Sequence, residues 1–116
     1  MREVDAIADC HAHVYYDPGS RGHAEALRDA LAQRFAVRLG RWHDRPVGPH
    51  PQSMYQVAFA PADFGTIVPW LALNRGTLPI LVHPLTGDDV ADHSAHAMWL
   101  GDPLPLDLEA LRPPQR

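Results

Sequence analysis

An α+β fold, with an antiparallel sheet carrying helices on one face, is what this sequence predicts. Three observations lead there. Apolar and polar residues alternate with period 2 near the N-terminus, and helical spacing of apolar residues follows directly. In addition, twelve prolines and eight glycines divide the chain into short elements. At 116 residues it reads as one domain, 1–116, large enough for a core but not for two.

Along residues 5–16, Ala6, Ala8, Cys10, Ala12 and Val14 alternate with Asp9, His11, His13 and Tyr15, as in a half-buried strand. "DPGSRG" is a turn, with Ser20 placed to cap the helix that follows. There Ala24, Leu27, Leu31 and Phe35 form one apolar stripe. "VRLGRWHDRP" is strand-like up to Pro46, which would break a ladder. "RPVGPHPQS" is a loop held in fixed shape by its prolines, and "MYQVAFA" is a third strand. "PADFGTIVPWLALNRG" opens with a first-turn proline and closes on Gly76, while Pro69 implies a kink or a break. "TLPILVHP" is a fourth strand. Thr86 is placed to cap a short helix with Asp88 and Asp89 in its first turn. The tail "GDPLPLDLEALRPPQR" reads as a loop and a short turn on the body. The order β-α-β-β-α-β is the split-βαβ, or ferredoxin-like, pattern. It places strand 4 beside strand 1, both helices on one sheet face, and leaves the other face open.

Composition excludes several classes of function. Apolar residues make up 46% and charged residues 21%, so a soluble globular protein is expected. No apolar run reaches the roughly 18 residues of a membrane span. "MREVDAIADC" lacks a signal-peptide pattern, so the expected compartment is cytoplasmic. Cys10 is the single cysteine, which excludes an internal disulfide. A net charge of −4 without a basic cluster argues against nucleic acid or an anionic membrane as partner. All ten basic residues are arginine, so neither a Schiff-base lysine nor a Walker lysine exists.

Eight histidines are the anomaly. Residues two apart on a strand point the same way, about 6.6 Å apart along the chain. His11 and His13 therefore share a face, and the predicted topology adds His83 beside them. Three neutral imidazoles so placed can converge on one metal ion; alternatively they meet water on a polar sheet face. His50, locked between Pro49 and Pro51, is a rigidly aimed ring or a solvated loop residue. Asp89, His93 and His96 share a helix face if the short helix continues, and otherwise only a surface. Arg41, His43 and Arg45 alternate and suit a substrate carboxylate, or else a solvated edge. Tyr15, on the histidine side of strand 1, is a candidate substrate contact. His23 reads as surface, Trp42, Trp70 and Trp99 as core, and Cys10 as a small buried hydrophobe.

The stretches "HAHVYYD", "RWHDRPVGPHP", "QVAFAPADFGTIVPWLALNRG" and "ILVHPLTGDDVADHSAHAMWLG" together resemble the DOPA 4,5-dioxygenase family, from about His11 to Leu108. The resemblance implies a ferredoxin-like fold and cleavage of catechol rings by non-haem Fe(II) and O2, a role in which zinc or another divalent ion can replace iron in a purified sample. On DOPA, such cleavage gives a seco-DOPA that cyclises to betalain-type or muscaflavin-type pigments. Carried over to this chain, it points to His11, His13, His50 and His83, and further to His93 and His96. Iron oxygenases of the two-histidine, one-carboxylate kind need an acid as third ligand. Asp9, Asp17, Asp88 and Asp89 are all open for that place, as is a three-histidine site.

The resulting expectation is an extradiol-type dioxygenase: His11, His13 and His83 for the metal, His50 and His93 for proton transfer, and Arg41, His43, Arg45 and Tyr15 for the catechol. The rival readings are a non-enzymatic module binding a metal or small ligand on its open face, and a cofactor-independent acid/base enzyme. Apolar surface on the open face, with Ile7 and Tyr15, predicts a homodimer.

Overall fold

The computed structural model describes residues 1–113; the last residues of the predicted tail, 114–116, lie outside them. The main elements are β1 (Asp9–Tyr15), α1 (Arg21–Arg34), β2 (Arg38–Leu39), β3 (Met54–Phe59), α2 (Phe64–Asn74), β4 (Ile80–Leu85), α3 (Asp89–Asp92) and β5 (Met98–Leu100). They form one antiparallel sheet in the order β2-β3-β1-β4-β5. The first four strands reproduce the predicted ferredoxin-like arrangement, with β1 central and β4 beside it. β5 is an addition at the edge, where Met98, Trp99 and Leu100 pair with Val82, Leu81 and Ile80.

Both helices lie on one face, as predicted. Cys10, Ala12 and Val14 of β1 pack with Tyr55, Val57 and Phe59 of β3 and Ile80 and Val82 of β4. Ala24, Leu27 and Leu31 of α1, and Ile67 and Leu71 of α2, close over them. The small residues of β1 let both helices approach the central strand.

Local details differ from expectation for identifiable reasons. The first strand starts at Asp9 because Val4–Ala6 forms a 3-10 turn. Ser20 does not cap α1: its hydroxyl accepts from Asp17 N–H at 3.0 Å and donates to Asp17 Oδ1 at 3.1 Å, bracing the preceding turn. Thr86 does not cap α3 either; Asp88 does, accepting from Ala91 N–H at 3.1 Å. Pro69 leaves α2 a single helix. It forfeits one hydrogen bond, to Gly65 O, while buried Ile67 and Leu71 hold both sides of it to the sheet.

The strand predicted over "VRLGRWHDRP" shrinks to Arg38–Leu39. Leu39 pairs with Val57 and His43 with Met54, so four residues of this edge advance against three of β3. That is a bulge, and it ends the regular Arg41/His43/Arg45 alternation.

The second sheet face is not open. Tyr15, Met54 and Leu81 form a buried cluster there, covered by Ala97, Trp99, Leu104 and Leu106. A bond from Asp107 N–H to Pro49 O at 2.9 Å ties this covering segment to the His50 loop. Tyr15 is fully buried and Ile7, half-buried, packs against the helix-side core rather than on the histidine face. Among the described residues no helix is long and apolar enough to cross a membrane.

Candidate metal centre

The strand register assembles the centre. His11 lies directly opposite His83 across β1–β4, and directly opposed residues share a face. Their ring centres are 5.3 Å apart. His13, two residues further along β1, leans back so that its Nε2 lies 3.0 Å from His83 Nε2. His13 and His83 are buried, at 3% and 2% exposure, and His11 is half-buried. On the β3 side His11 faces Ala58, too small to fill the space over the rings.

Two further histidines complete the cluster from loops. His50 ends a tight turn closed by its own N–H to Val47 O at 3.0 Å. Gly48 makes that turn possible at φ +55°, a region unfavourable for side-chain-bearing residues. The turn buries His50 with Nδ1 2.6 Å from Tyr15 Oη and its ring centre 4.3 Å from that of His13. His93 follows α3, and its Nδ1–H donates to Asp89 O at 2.7 Å. Its ring centre lies 4.1 Å from that of His83.

A single helical turn such as α3 is unstable alone, and Asp92 anchors it. This buried carboxylate accepts from Thr86 N–H at 2.8 Å, Thr86 Oγ1–H at 2.6 Å and His96 Nδ1–H at 3.1 Å. Those bonds clamp α3 to the end of β4 and so set His93 beside His83. Burial alone would raise the Asp92 carboxyl, but its bonds to Thr86 and His96 hold it below the usual carboxylate range. Asp92 was not singled out in the sequence, although its i,i+4 spacing to His96 was a signal for it.

Burial, reinforced by neighbouring imidazoles, pushes His50 down to about 4. Burial likewise takes His83 to about 4, although its bond to Pro84 O opposes the shift. His13 is driven well below its ordinary value by burial and then by His50 and His83, and His11 falls for the same first reason. At neutral pH these rings are therefore unprotonated and keep a lone pair. Burial raises Tyr15 above the usual phenol range, so it stays protonated.

This donor set fits a divalent transition metal ion. A carbonyl can only accept, so His83 and His93 hold their protons on Nδ1 against Pro84 O and Asp89 O and present Nε2 to the cluster. Ligating histidines are generally oriented through the second ring nitrogen in this way. Two nitrogens each about 2.1 Å from one ion at a right angle lie about 3.0 Å apart, and that is the His13–His83 spacing. Among the described residues two groups have ligand atoms within 4.8 Å of one another: His11, His13 and His83, and His13, His50 and His93. Neither contains a carboxylate. Of the acids left open by the sequence, Asp9 takes two bonds from Arg38 Nη2 at 2.6 and 2.7 Å, Asp17 braces Ser20, Asp88 caps α3, and Asp89 offers its carbonyl to His93.

The other predicted site residues are not part of the two groups. His43 is half-buried on the histidine side of the sheet, through its pairing with Met54. Arg41 and Arg45 are exposed on the segment that carries it, and among the described residues neither makes a hydrogen bond or ion pair. His96 stands outside both three-histidine groups, on Asp92. Tyr15 lies beneath the centre, its ring 5.8 Å from that of Trp99. A cavity of about 230 Å³ is lined by His93, Ala97, Trp99, Leu104, Leu106 and Leu108. These apolar tail residues were missed as site walls, although Pro103-Leu104-Pro105-Leu106 has the pattern of an extended segment with one apolar side.

Comparison with known proteins shows which family the chain falls in. The chain is 37% identical over 112 residues to an uncharacterised 21.2 kDa protein of Botryotinia fuckeliana, an alignment covering 86% of this chain and 61% of that one. It is 35% identical over 114 residues to a DOPA 4,5-dioxygenase of Amanita muscaria, covering 90% and 50%. This chain thus spans only part of the length of these curated relatives. The crystal structure of a "putative dioxygenase" from Nostoc punctiforme matches with a TM-score of 0.94 and 54% identity over 96% of both chains. The family model for Dopa 4,5-dioxygenases matches residues 10–110, and the chain belongs to the Dopa 4,5-dioxygenase family.

Proposed function

We propose that this protein is a non-haem Fe(II) dioxygenase that opens the ring of a catechol, DOPA or a relative of it, by extradiol-type cleavage. One observation supports it above the rest: His13 and His83 aim Nε2 atoms 3.0 Å apart within a buried cluster of histidines. Iron held by His11, His13 and His83 would supply a Lewis acid for the catechol oxygens and a redox centre for O2.

The chain's own residues do the remaining work. The cavity beside His93 would receive the aromatic ring against Trp99, Leu104 and Leu106. His50, unprotonated at neutral pH and held by Tyr15 Oη, accepts a catechol proton. His93, which lines the cavity, would return a proton to the product. Arg41 or Arg45, exposed on the segment bearing His43, would meet a substrate carboxylate. In the overall change one ring C–C bond breaks and both atoms of O2 enter the product.

Oxygen uptake is the test. Protein reconstituted anaerobically with Fe(II) and then mixed with catechols under air, DOPA first, should consume one O2 per substrate lost and yield a yellow ring-opened product. A fully iron-loaded protein that takes up no oxygen with any catechol would overturn this reading and leave a metal-binding module.

A further inference from the structure

The histidine cluster contains more ligands than one three-nitrogen site uses, and they are divided in an unusual way. We propose that the cluster holds a divalent ion in either of two positions, one formed by His11, His13 and His83 and the other by His13, His50 and His93. This rests on the reading of the cluster as a metal centre and goes beyond it by assigning a second position.

The geometry supports two positions because each group separately brings its ligand atoms within 4.8 Å, and His13 belongs to both. Three of the rings have one nitrogen already engaged. His83 Nδ1 is held by Pro84 O at 2.9 Å, His93 Nδ1 by Asp89 O at 2.7 Å, and His50 Nδ1 by Tyr15 Oη at 2.6 Å. His83 and His93 therefore present Nε2 as a lone pair, and His50 does so when its Nδ1–H donates to Tyr15 Oη.

His13 differs. Because His83 carries its proton on Nδ1, its Nε2 is an acceptor, and the 3.0 Å contact makes His13 Nε2 the donor. The remaining lone pair of His13 is then on Nδ1, which is buried and has no hydrogen-bond partner. A buried lone pair without a partner is costly unless something binds it, and the group that His13 forms with His50 and His93 does not include His83, whose Nε2 already engages His13 Nε2.

A neutral imidazole has one lone pair at a time. With the proton on Nδ1, His13 serves the first position through Nε2; with the proton on Nε2, it serves the second through Nδ1. The two positions therefore exclude one another, and one ion binds per chain. In the first position His50 is left free for proton transfer, whereas in the second it is a ligand. The tautomer of His13 thus selects between an arrangement competent for the proposed chemistry and one that is not.

Cobalt(II), whose visible spectrum reports its ligands, provides the test by equilibrium dialysis. Wild-type protein should bind one ion. His11→Ala and His93→Ala should each still bind one, with affinity within about tenfold of wild type and with visible spectra that differ from each other. His13→Ala and the His11→Ala/His93→Ala double variant should lose affinity by more than about a hundredfold. His11→Gln and His93→Gln, which fill the vacated space, decide the matter if an alanine variant fails to fold by circular dichroism. Loss of the ion in either single variant, or two ions per wild-type chain, would overturn the two-position proposal while leaving a metal centre in place. Failure of wild-type protein to bind any ion would overturn both.

Discussion

His13 and His83 hold their Nε2 atoms 3.0 Å apart even though the ladder pairs His83 with His11, not with His13. The contact is diagonal, between neighbouring pairs on one face of an antiparallel sheet. Such diagonals lie about 7–8 Å apart at the backbone, within reach of two long side chains turned toward each other. Two central strands thus supply a close pair of nitrogens without any loop having to be ordered. Rigid strands place such atoms more accurately than loops do.

The first prediction follows from that pair. His13→Ala should reduce bound iron to background, because His13 belongs to both three-histidine groups. Its far-UV circular dichroism should match wild type, since the ring lies on the face opposite the main core. Metal analysis of protein reconstituted with Fe(II) checks the claim, and iron retained at the wild-type level would refute it.

Tyr15→Phe should keep the metal and slow turnover by about 10–100-fold, the usual effect of losing a group that orients an active imidazole. The phenol ring packs on Trp99 and would be retained, so only the contact from Oη to His50 Nδ1 is lost. Oxygen uptake together with iron content separates this outcome from loss of the site.

Asp92→Asn should destabilise the protein by about 2 kcal/mol, the scale for hydrogen bonds to a charged acceptor. An amide has one acceptor oxygen, whereas the carboxylate serves Thr86 N–H, Thr86 Oγ1–H and His96 Nδ1–H. Urea denaturation would measure the loss, and an unchanged midpoint would show that α3 is held by other means.

Gly48→Ala tests the turn that aims His50. No atom lies within 4 Å of the added Cβ, so the cost arises from φ +55° alone and should be about 1–2 kcal/mol. If the backbone relaxes to a negative φ, the His50 ring moves and turnover falls further than stability does. A comparison of thermal denaturation with oxygen uptake resolves the two effects.

Acid should unfold the metal-free protein early. In the folded chain His50 and His83 take up protons only near pH 4, because burial opposes their charge. In the unfolded chain they do so near 6.5. Between these values the unfolded state binds more protons, so stability rises with pH. It is therefore fully present above about pH 6.5 and lost progressively as the pH falls toward 4. Urea titrations in chelator across this range should show the slope, and a flat profile would contradict it.

Much of this molecule was legible in the residues themselves. Alternation along β1 put His11 and His13 on one side and the alanines on the other, and the element order put β4 next to β1. From those two facts His83 could be placed beside the pair, because strand periodicity and antiparallel register are local backbone rules that hold wherever a sheet forms. Capping was less readable. Ser20 and Thr86 have the right chemistry for N-caps, but each bonds instead to a nearby aspartate, Asp17 and Asp92. A hydroxyl takes whichever partner the folded chain brings closest.

Only the tertiary structure decided what covers the histidine face. Met98–Leu100 is too short a strand to show periodicity, and Leu104 and Leu106 lie in a proline-rich tail that packs on residues far away in sequence. The same holds for His50, whose ring reaches Tyr15 across 35 positions, and for His93, set beside His83 by the anchoring of α3. Local rules determined which side chains share a strand face, whereas long-range packing determined which are buried together. The depressed proton affinities and convergent lone pairs of the centre arise from that shared burial.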